Sequence, residues 1–217
     1  MAVFRESELI EKISTENPDI ETISYFLEKY PDIHSGIISS VADFSSEISD
    51  YLGNVLDIFL ELDHRTSLPI KNRYLSPETL GYDRIAAAVG AKTLFPDDNV
   101  LVIDMGTAIT IDLVSSEHEF FGGNISPGLG LRATALHKFT QKLPLVAPKI
   151  ENEIFGRTTE EAISSGIIQG IFYEIEGYIN QMNLIYKKLK VVLTGGDVKY
   201  FDKKLKNSIF VDSNLNL

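Results

Sequence analysis

The sequence contains no cysteine, so disulfide bonds, thiol catalysis and cysteine-ligated metals are excluded. It also lacks any apolar run near the roughly 18 residues that a membrane-spanning helix requires. Positive charge is scarce, because 20 lysines and arginines stand against 31 aspartates and glutamates, for a net charge of -11. A nucleic-acid partner would need a basic patch, and this composition argues against one. A small anion held locally is still compatible with it.

Two further patterns are missing. The phosphate loop Gly-x-x-x-x-Gly-Lys-Ser/Thr does not occur, and the histidines are not spaced as metal ligands. The opening residues "MAVFRESELIEK" have the pattern of neither a secretory signal nor a transit peptide. Together with the absence of cysteine, this predicts a cytoplasmic protein without a membrane partner. At 217 residues and 44% hydrophobic content, the chain can form one large domain or two small ones.

Apolar periodicity predicts alternating strands and helices in two halves. The first half reads β-β-α-β-α-β-α, and its last helix is predicted to open with Ser76 as N-cap and Pro77 at the first helical position. The polar turn "PDDN" is the clearest break, so we place a domain boundary between residues 1–95 and 96–217. The second half predicts strands at "VLVIDMG", "AITIDLV" and "HEFFGG", then two helices, the strand "KVVLT", a helix at "DVKYFDKKL" and the strand "SIFV".

The stretch "IDMGTAITID" ends a buried strand on a carboxylate and turns at once through Gly-Thr. Asp104 has no partner nearby in sequence, so a cation would be a natural neighbour. Gly106 and the hydroxyl of Thr107 can approach phosphate oxygens closely. The alternative is a plain β-hairpin whose turn is stabilised by the aspartate. This stretch alone favours neither interpretation.

The stretch "LGYDRIAAAVGA" places Asp83 and Arg84 near a helix start. An aspartate there can act as a base, and the planar fork of an arginine can bind a carboxylate. The alternative is a solvated helix start with a favourable acidic residue, which this stretch alone favours. Tyr74, in "KNRYLSPETLGYDR", is the aromatic residue most compatible with a ligand-facing position.

Three glycine-rich or capped turns complete the pattern. "FGGNISPGLGLR" predicts a loop entering a helix, with a possible anion site at the helix N-terminus and Arg132 beside it. In "FGRTTEEAISSG", Thr158 is the predicted cap, which leaves the hydroxyl of Thr159 free for a ligand. In "VVLTGGD", Gly195 and Gly196 offer flat backbone on which an adenine or ribose could lie. For each of these turns, the alternative to ligand binding is a purely structural role, as a connection that requires glycine or as a helix cap.

Taken in order, "GYDR", "DMGTA", "GGNISPGL", "GRTT" and "LTGGD" resemble the motifs of the type III pantothenate kinase family. The resemblance covers nearly the whole chain. It implies an α/β fold of two ribonuclease H-like half-domains, as in actin and the sugar kinases, with mixed sheets and flanking helices. It implies ATP-dependent phosphorylation of pantothenate, the first step of coenzyme A biosynthesis. A homodimer is also implied.

The resemblance further implies a role for each matching residue. Asp83 would be the general base, and Asp104 would bind a monovalent cation, potassium or ammonium. Magnesium would accompany the nucleotide. Thr107, Gly106, Gly195 and Gly196 would contact ATP. The residues expected to hold pantothenate are Tyr74, Gly81, Tyr82, Asp83, Arg84 and Thr159, the last from across a dimer interface.

The sequence departs from the family at its ends. The family's first phosphate motif, an Asp-x-Gly-Asn-Thr turn, is expected before "AVF", and a further helix is expected after the last strand. We expect the sequence to be part of a longer protein or to carry a start-site error. The alternative is a non-catalytic ligand-binding or regulatory relative that keeps the fold.

Overall fold

A computed structural model describes residues 1–6, 8–13, 15, 18–39, 46–150, 153–201, 205, 209–212 and 214–215. The chain divides into two compact units, one spanning Met1–Thr66 and the other beginning at Ser67. This division precedes the sequence-predicted boundary at residue 95. The difference arises because the helix before "PDDN" packs against strands of the second unit.

The first unit contains two separate pairs of strands and two helices. Strands β1 and β2 form an antiparallel hairpin, and β3 pairs with β4 in parallel. Asp19 caps the first helix by accepting a hydrogen bond from the backbone N–H of Thr22. The elements are β1 (Ala2–Arg5), β2 (Glu8–Lys12), α1 (Ile20–Lys29), β3 (Ser35–Ile38), α2 (Ser46–Val55) and β4 (Ile58–Glu61). These follow the predicted order. The sequence predicts the third of these strands at "GIISSV", residues 36–41, and residues 40 and 41 of that prediction lie outside the described residues.

The second unit is built on a six-stranded sheet of order β10-β9-β6-β7-β8-β5. Strands β9 and β10 run parallel to β6, whereas β7 is antiparallel to both of its neighbours. The strands are β5 (Lys71–Asn72), β6 (Asn99–Met105), β7 (Ala108–Val114), β8 (Glu119–Pro127), β9 (Leu189–Thr194) and β10 (Ile209–Val211). The helices are α3 (Tyr82–Leu94), α4 (Leu129–Phe139) and α5 (Thr159–Ile185), with 3₁₀ turns at Pro77–Thr79 and Val198–Tyr200.

Strand alternation gives this sheet two buried faces. On β6, Leu101 and Ile103 point into a core shared with α4 and α5. Their neighbours Val100 and Val102 point the other way, into a core shared with α3. The sheet is therefore mixed and covered by helices on both sides, which confirms the predicted fold class. None of the described helices is long and apolar enough to cross a membrane.

Three local predictions differ from the structure. Ser76 and Pro77 begin only a short 3₁₀ turn, and α3 begins at Tyr82 after extended backbone at Leu80 and Gly81. Strand β8 continues to Pro127, through residues predicted to form a loop. After β9, the described part of the predicted helix is the Val198–Tyr200 turn, while residues 202–204 lie outside the described chain.

Candidate functional site

The apolar face that packs against α3 becomes polar at one end. Side chains two residues apart on a strand share a face, so Asp104 follows Val102, and Thr194 follows Val192. The strand register sets Asp104 opposite Thr194 on one side and opposite Thr110 on the other. The predicted site residue Asp104 therefore lies among polar side chains of neighbouring strands rather than at an isolated hairpin turn.

Helix α3 begins above this polar end. Gly81 is its N-cap residue, and a Cβ there would lie only 2.5 Å from Oδ1 of Asp83. The backbone N–H of Arg84 donates to the same oxygen at 2.8 Å, which fixes the carboxylate against the first turn. Asp83 itself is exposed. Since α3 presents it within electrostatic reach of Asp104, the structure brings these two predicted residues together.

Arg84 points into the protein. Its Nε donates to Oδ2 of Asp112 at 3.0 Å, and a terminal nitrogen donates to Oδ1, giving a two-point ion pair. Both side chains are buried, with exposures of 5% and 2%. The guanidinium carbon lies 5.4 Å from the centre of the Tyr74 ring, which packs against Gly122. Gly122 has a φ of +84°, so this position requires both the freedom and the small size of glycine.

The carboxylates around Asp104 make its ionisation costly. Burial is the largest cause that raises the pKa of Asp104, and together with the negative charges of Asp83 and Asp112 it brings this pKa to about 6. Gly195 packs so closely that a Cβ would lie 2.4 Å from Oδ1 of Asp104, and its φ is +95°. A cation beside Asp104 would offset this burial and repulsion.

The donor set beside Asp104 fits a cation that needs few carboxylates. Thr194 is fully buried, and its hydroxyl has no hydrogen-bond partner among the described residues. No cluster of three or more acidic or histidine side chains with metal-binding geometry occurs in the described ranges. The described residues here therefore offer one carboxylate and one hydroxyl, which is fewer oxygen ligands than a dedicated divalent-ion site supplies.

The Gly106–Thr107 turn joins β6 to β7 as a tight hairpin, which is the geometry that the hairpin interpretation of "IDMGTAITID" predicts. Gly106 donates its N–H to the carbonyl of Ala108, and Gly128 donates to the carbonyl of Thr107. A Cβ on Gly128 would lie 2.1 Å from the carbonyl oxygen of Gly106, which explains glycine there. Thr107 is exposed at the tip.

A cavity of about 740 Å³ opens beside this turn. Its walls are the Gly106–Thr107 turn, the first turns of α4, residues 145–148, and the side chains of Asp197 and Tyr200. A polar rim next to the hairpin and an apolar wall beyond it are typical of a small-molecule site.

Two of the predicted contacts stand apart from this cluster. Thr159 begins α5 and is exposed, and no contact among the described residues links it to Asp83, Asp104 or Thr107. Its neighbour Thr158 is the N-cap in a complete capping box with Glu161, as predicted. Arg132 pairs with Glu174 and donates Nε to the carbonyl of Pro127 at 2.7 Å.

Sequence reasoning missed three polar residues of this region. Asp112 is a charged residue on a strand that reads as apolar, a signal that could have marked it as buried and paired. Thr194 and Asp197 flank the Gly-Gly that the sequence did single out. Their importance depends on the register of β9 and on the wall of the cavity, which a one-dimensional pattern does not give.

Comparison with known proteins is consistent with this geometry. The family profile of type III pantothenate kinases matches residues 2–181. A type III pantothenate kinase of Phocaeicola vulgatus is 42% identical over 212 residues, covering 98% of this chain and 87% of that protein. One of Bacteroides fragilis strain YCH46 is 44% identical over 212 residues with the same coverage.

A solved structure has a similar fold. It is described as a conserved Baf-family transcriptional activator from Campylobacter jejuni, and it is 25% identical with a TM-score of 0.57. The match covers 89% of this chain and 82% of that one.

Proposed function

The chain belongs to the type III pantothenate kinase family, and on that premise we propose that it phosphorylates pantothenate with ATP through Asp83, Asp104 and Thr107. The observation that carries this assignment is the convergence of Asp83 and Asp104 at the polar end of one sheet face, beside the Gly106–Thr107 turn. Phosphoryl transfer depends on positioning and charge neutralisation, and these groups supply both.

Asp83 is proposed as the general base. Its carboxylate is exposed and held on the first turn of α3, where an incoming hydroxyl can reach it. It would accept the proton of the pantothenate hydroxyl as that oxygen bonds to the γ-phosphorus. The bond from the γ-phosphorus to the bridging oxygen breaks, and ADP leaves with the electron pair.

Asp104 and Thr107 are proposed to serve the phosphates. A monovalent cation, potassium or ammonium, would be held by Asp104 with help from the unpartnered hydroxyl of Thr194. Thr107 would donate its hydroxyl to a phosphate oxygen, and magnesium would accompany the nucleotide. The nucleotide would lie against the backbone of three glycines, which carry no side chain to keep it away: Gly106, Gly195 and Gly196.

The pantothenate end is proposed to lie over the start of α3, against Tyr74, Gly81 and Tyr82. The sequence suggests that Arg84 binds a ligand carboxylate, but two nitrogens of its guanidinium group already bind Asp112. Arg84 therefore has a different proposed role. We assign it to holding Tyr74 and the first turn of α3 in place. Thr159 would reach the ligand of a partner protomer, and the exposed side chains of Ile154 and Phe155 beside it suit a homodimer contact. We also infer a cytoplasmic location, where ATP is the common phosphate donor.

The test is a direct assay of the product. The purified protein is incubated with pantothenate and MgATP in potassium or in sodium buffer, and phosphopantothenate is followed by ³¹P NMR. We expect product at a rate at least several-fold higher in potassium. Pantothenate binding by calorimetry without any product would instead support the non-catalytic alternative. Equal rates in the two buffers would contradict the proposal that Asp104 binds the monovalent cation.

A further inference from the structure

The half-buried carboxylate of Asp197 faces the cavity and accepts no hydrogen bond from the residues that the structure describes. Asp197 lies on the cavity wall, just after the Gly195–Gly196 pair that ends β9. No described group donates a hydrogen bond to this carboxylate, although Lys199 lies near enough to act on it electrostatically. Burial raises the pKa of Asp197, so its charge is poorly solvated. A ligand with hydroxyl donors would satisfy it.

The backbone fixes how far this carboxylate lies from the phosphate turn. The N–H of Asp197 donates to the carbonyl of Met105 at 3.0 Å, and Met105 directly precedes the Gly106–Thr107 turn. Asp197 is therefore held against the residue that precedes the proposed phosphate contacts, and it lines the same cavity as they do. In a nucleotide, the group next to the phosphates is the ribose.

The rest of the cavity wall is suited to the nucleobase of a nucleotide. Residues 145–148 are Leu-Val-Ala-Pro, and they line the cavity together with the aromatic ring of Tyr200. An apolar and aromatic wall can accept the flat face of a purine, but it offers few side-chain hydrogen bonds to distinguish one base from another. Polar selectivity along this cavity must then come from its rim, where Asp197 is the carboxylate.

We propose that Asp197 is the sugar-specificity residue of the donor site, accepting hydrogen bonds from the 2′- and 3′-hydroxyls of the ribose. This inference rests on the proposed function, since it takes the cavity as the place of the nucleotide. A carboxylate accepts from a vicinal diol at two points, as acidic residues do in dinucleotide sites. A phosphate at the same place would be repelled by the carboxylate, which excludes the reverse orientation of the ligand.

The experiment compares ADP, 2′-deoxy-ADP and 3′-deoxy-ADP by titration calorimetry on the wild type, Asp197→Asn and Asp197→Ala. Asp97→Asn, an exposed aspartate in the "PDDN" turn, is the matched control. We expect the wild type and the control to bind ADP about tenfold or more tightly than either deoxy nucleotide. Asp197→Ala should bind all three with nearly equal affinity, and Asp197→Asn should fall between.

Two results would overturn the inference. One is unchanged ADP affinity in Asp197→Ala. The other is an equal loss for ADP and both deoxy nucleotides, which would mean that Asp197 only supports the structure. Thermal melting of each variant without ligand shows whether it is folded. Because the product assay with pantothenate is separate, a wild type that makes phosphopantothenate but ignores the sugar hydroxyls would contradict this inference alone.

Discussion

At the scale of single residues, the candidate site combines polar groups whose burial costs the protein folding free energy. Asp104 is the clearest case, because burial and the charges of two nearby aspartates together raise its pKa to about 6. Thr194 adds a buried hydroxyl that has no hydrogen-bond partner within the described part of the chain. Unfavourable positions of this kind persist where a ligand compensates for them, and they are found often at functional sites.

Asp104→Asn should therefore stabilise the free protein in a pH-dependent way. The folded pKa lies above the ordinary value of 3.8, so the folded state holds the proton more tightly than the unfolded state does. The cost of ionising Asp104 is full above about pH 6 and fades as the pH falls toward 4. We expect the variant to melt a few degrees above the wild type at pH 7.5, with little difference at pH 4.5.

Differential scanning fluorimetry in a buffer with tetramethylammonium as the only monovalent cation would measure this. Addition of potassium should raise the melting temperature of the wild type but not of Asp104→Asn. A variant that melts lower than the wild type at pH 7.5 would show that the carboxylate stabilises the free protein, contrary to the account.

At the scale of elements, the start of α3 is tied to the sheet by one buried ion pair. Arg84 from the helix and Asp112 from β7 leave no charge unpaired between them. Removing one partner leaves the other charge buried and uncompensated, which costs about 3–5 kcal/mol. Replacing both by apolar residues of similar size avoids that cost.

We accordingly expect Arg84→Met and Asp112→Leu each to lower the free energy of unfolding by about 3–5 kcal/mol, while the double variant loses much less. Urea unfolding followed by circular dichroism measures all three. The double variant should nevertheless stay slow in the pantothenate assay, because Tyr74 loses the cation beneath its ring. Additive losses in the double variant would show that the two charges act independently.

At the start of α5, a helix-capping threonine directly precedes the threonine proposed to contact pantothenate. The side chain of Thr158 accepts from the N–H of Glu161 and caps the helix, whereas Thr159 is exposed and makes no such bond. Thr158→Ala should lower the free energy of unfolding by about 1 kcal/mol with little change in KM for pantothenate. Thr159→Ala should leave stability unchanged and raise that KM several-fold. A stability loss in Thr159→Ala together with an unchanged KM for pantothenate would contradict its proposed place in the substrate site.

Much of the fold could be predicted because each long element carries its own periodic signal. The capping box at Thr158 and the strand that carries Asp104 near its end were both predicted from local sequence. The later start of α3 was missed, because Ser76-Pro77 is a good helix signal that leads here only to a 3₁₀ turn. The continuation of β8 through Asn124 and Ser126 was missed as well. Pairing with β7 outweighed the low strand propensity of those residues.

Of the acidic residues at the candidate site, the sequence singled out Asp83 and Asp104 but neither Asp112 nor Asp197, and it did not reveal how these residues are paired. A carboxylate at a strand end and another on a helix start are visible in sequence. That Arg84 binds Asp112 rather than a free ligand depends on how α3 lies on β7, a tertiary relation between residues far apart in sequence. The cavity wall at residues 145–148 depends likewise on the path of a connection without regular structure.

At the scale of the whole molecule, exposed apolar side chains near the start of α5 are the strongest sign of a partner. Phe155 is 83% exposed and Ile154 is 55% exposed, and both lie within one or two turns' length of chain before Thr159, the residue proposed to reach a neighbouring site. We expect light scattering at micromolar concentration to give twice the 24.2 kDa chain mass. Phe155→Asp should shift the mass to that of one chain and raise KM for pantothenate. A monomeric wild type would contradict the proposal for Thr159.

The central claim is that Asp83 removes the proton from the hydroxyl that is phosphorylated. The most direct test is to compare single-turnover formation of phosphopantothenate by the wild type and by Asp83→Asn, with pantothenate affinity measured in parallel by calorimetry. The account predicts a rate lower by a factor on the order of 10² or more, with affinity changed less than about threefold. A near-normal rate in Asp83→Asn would contradict it.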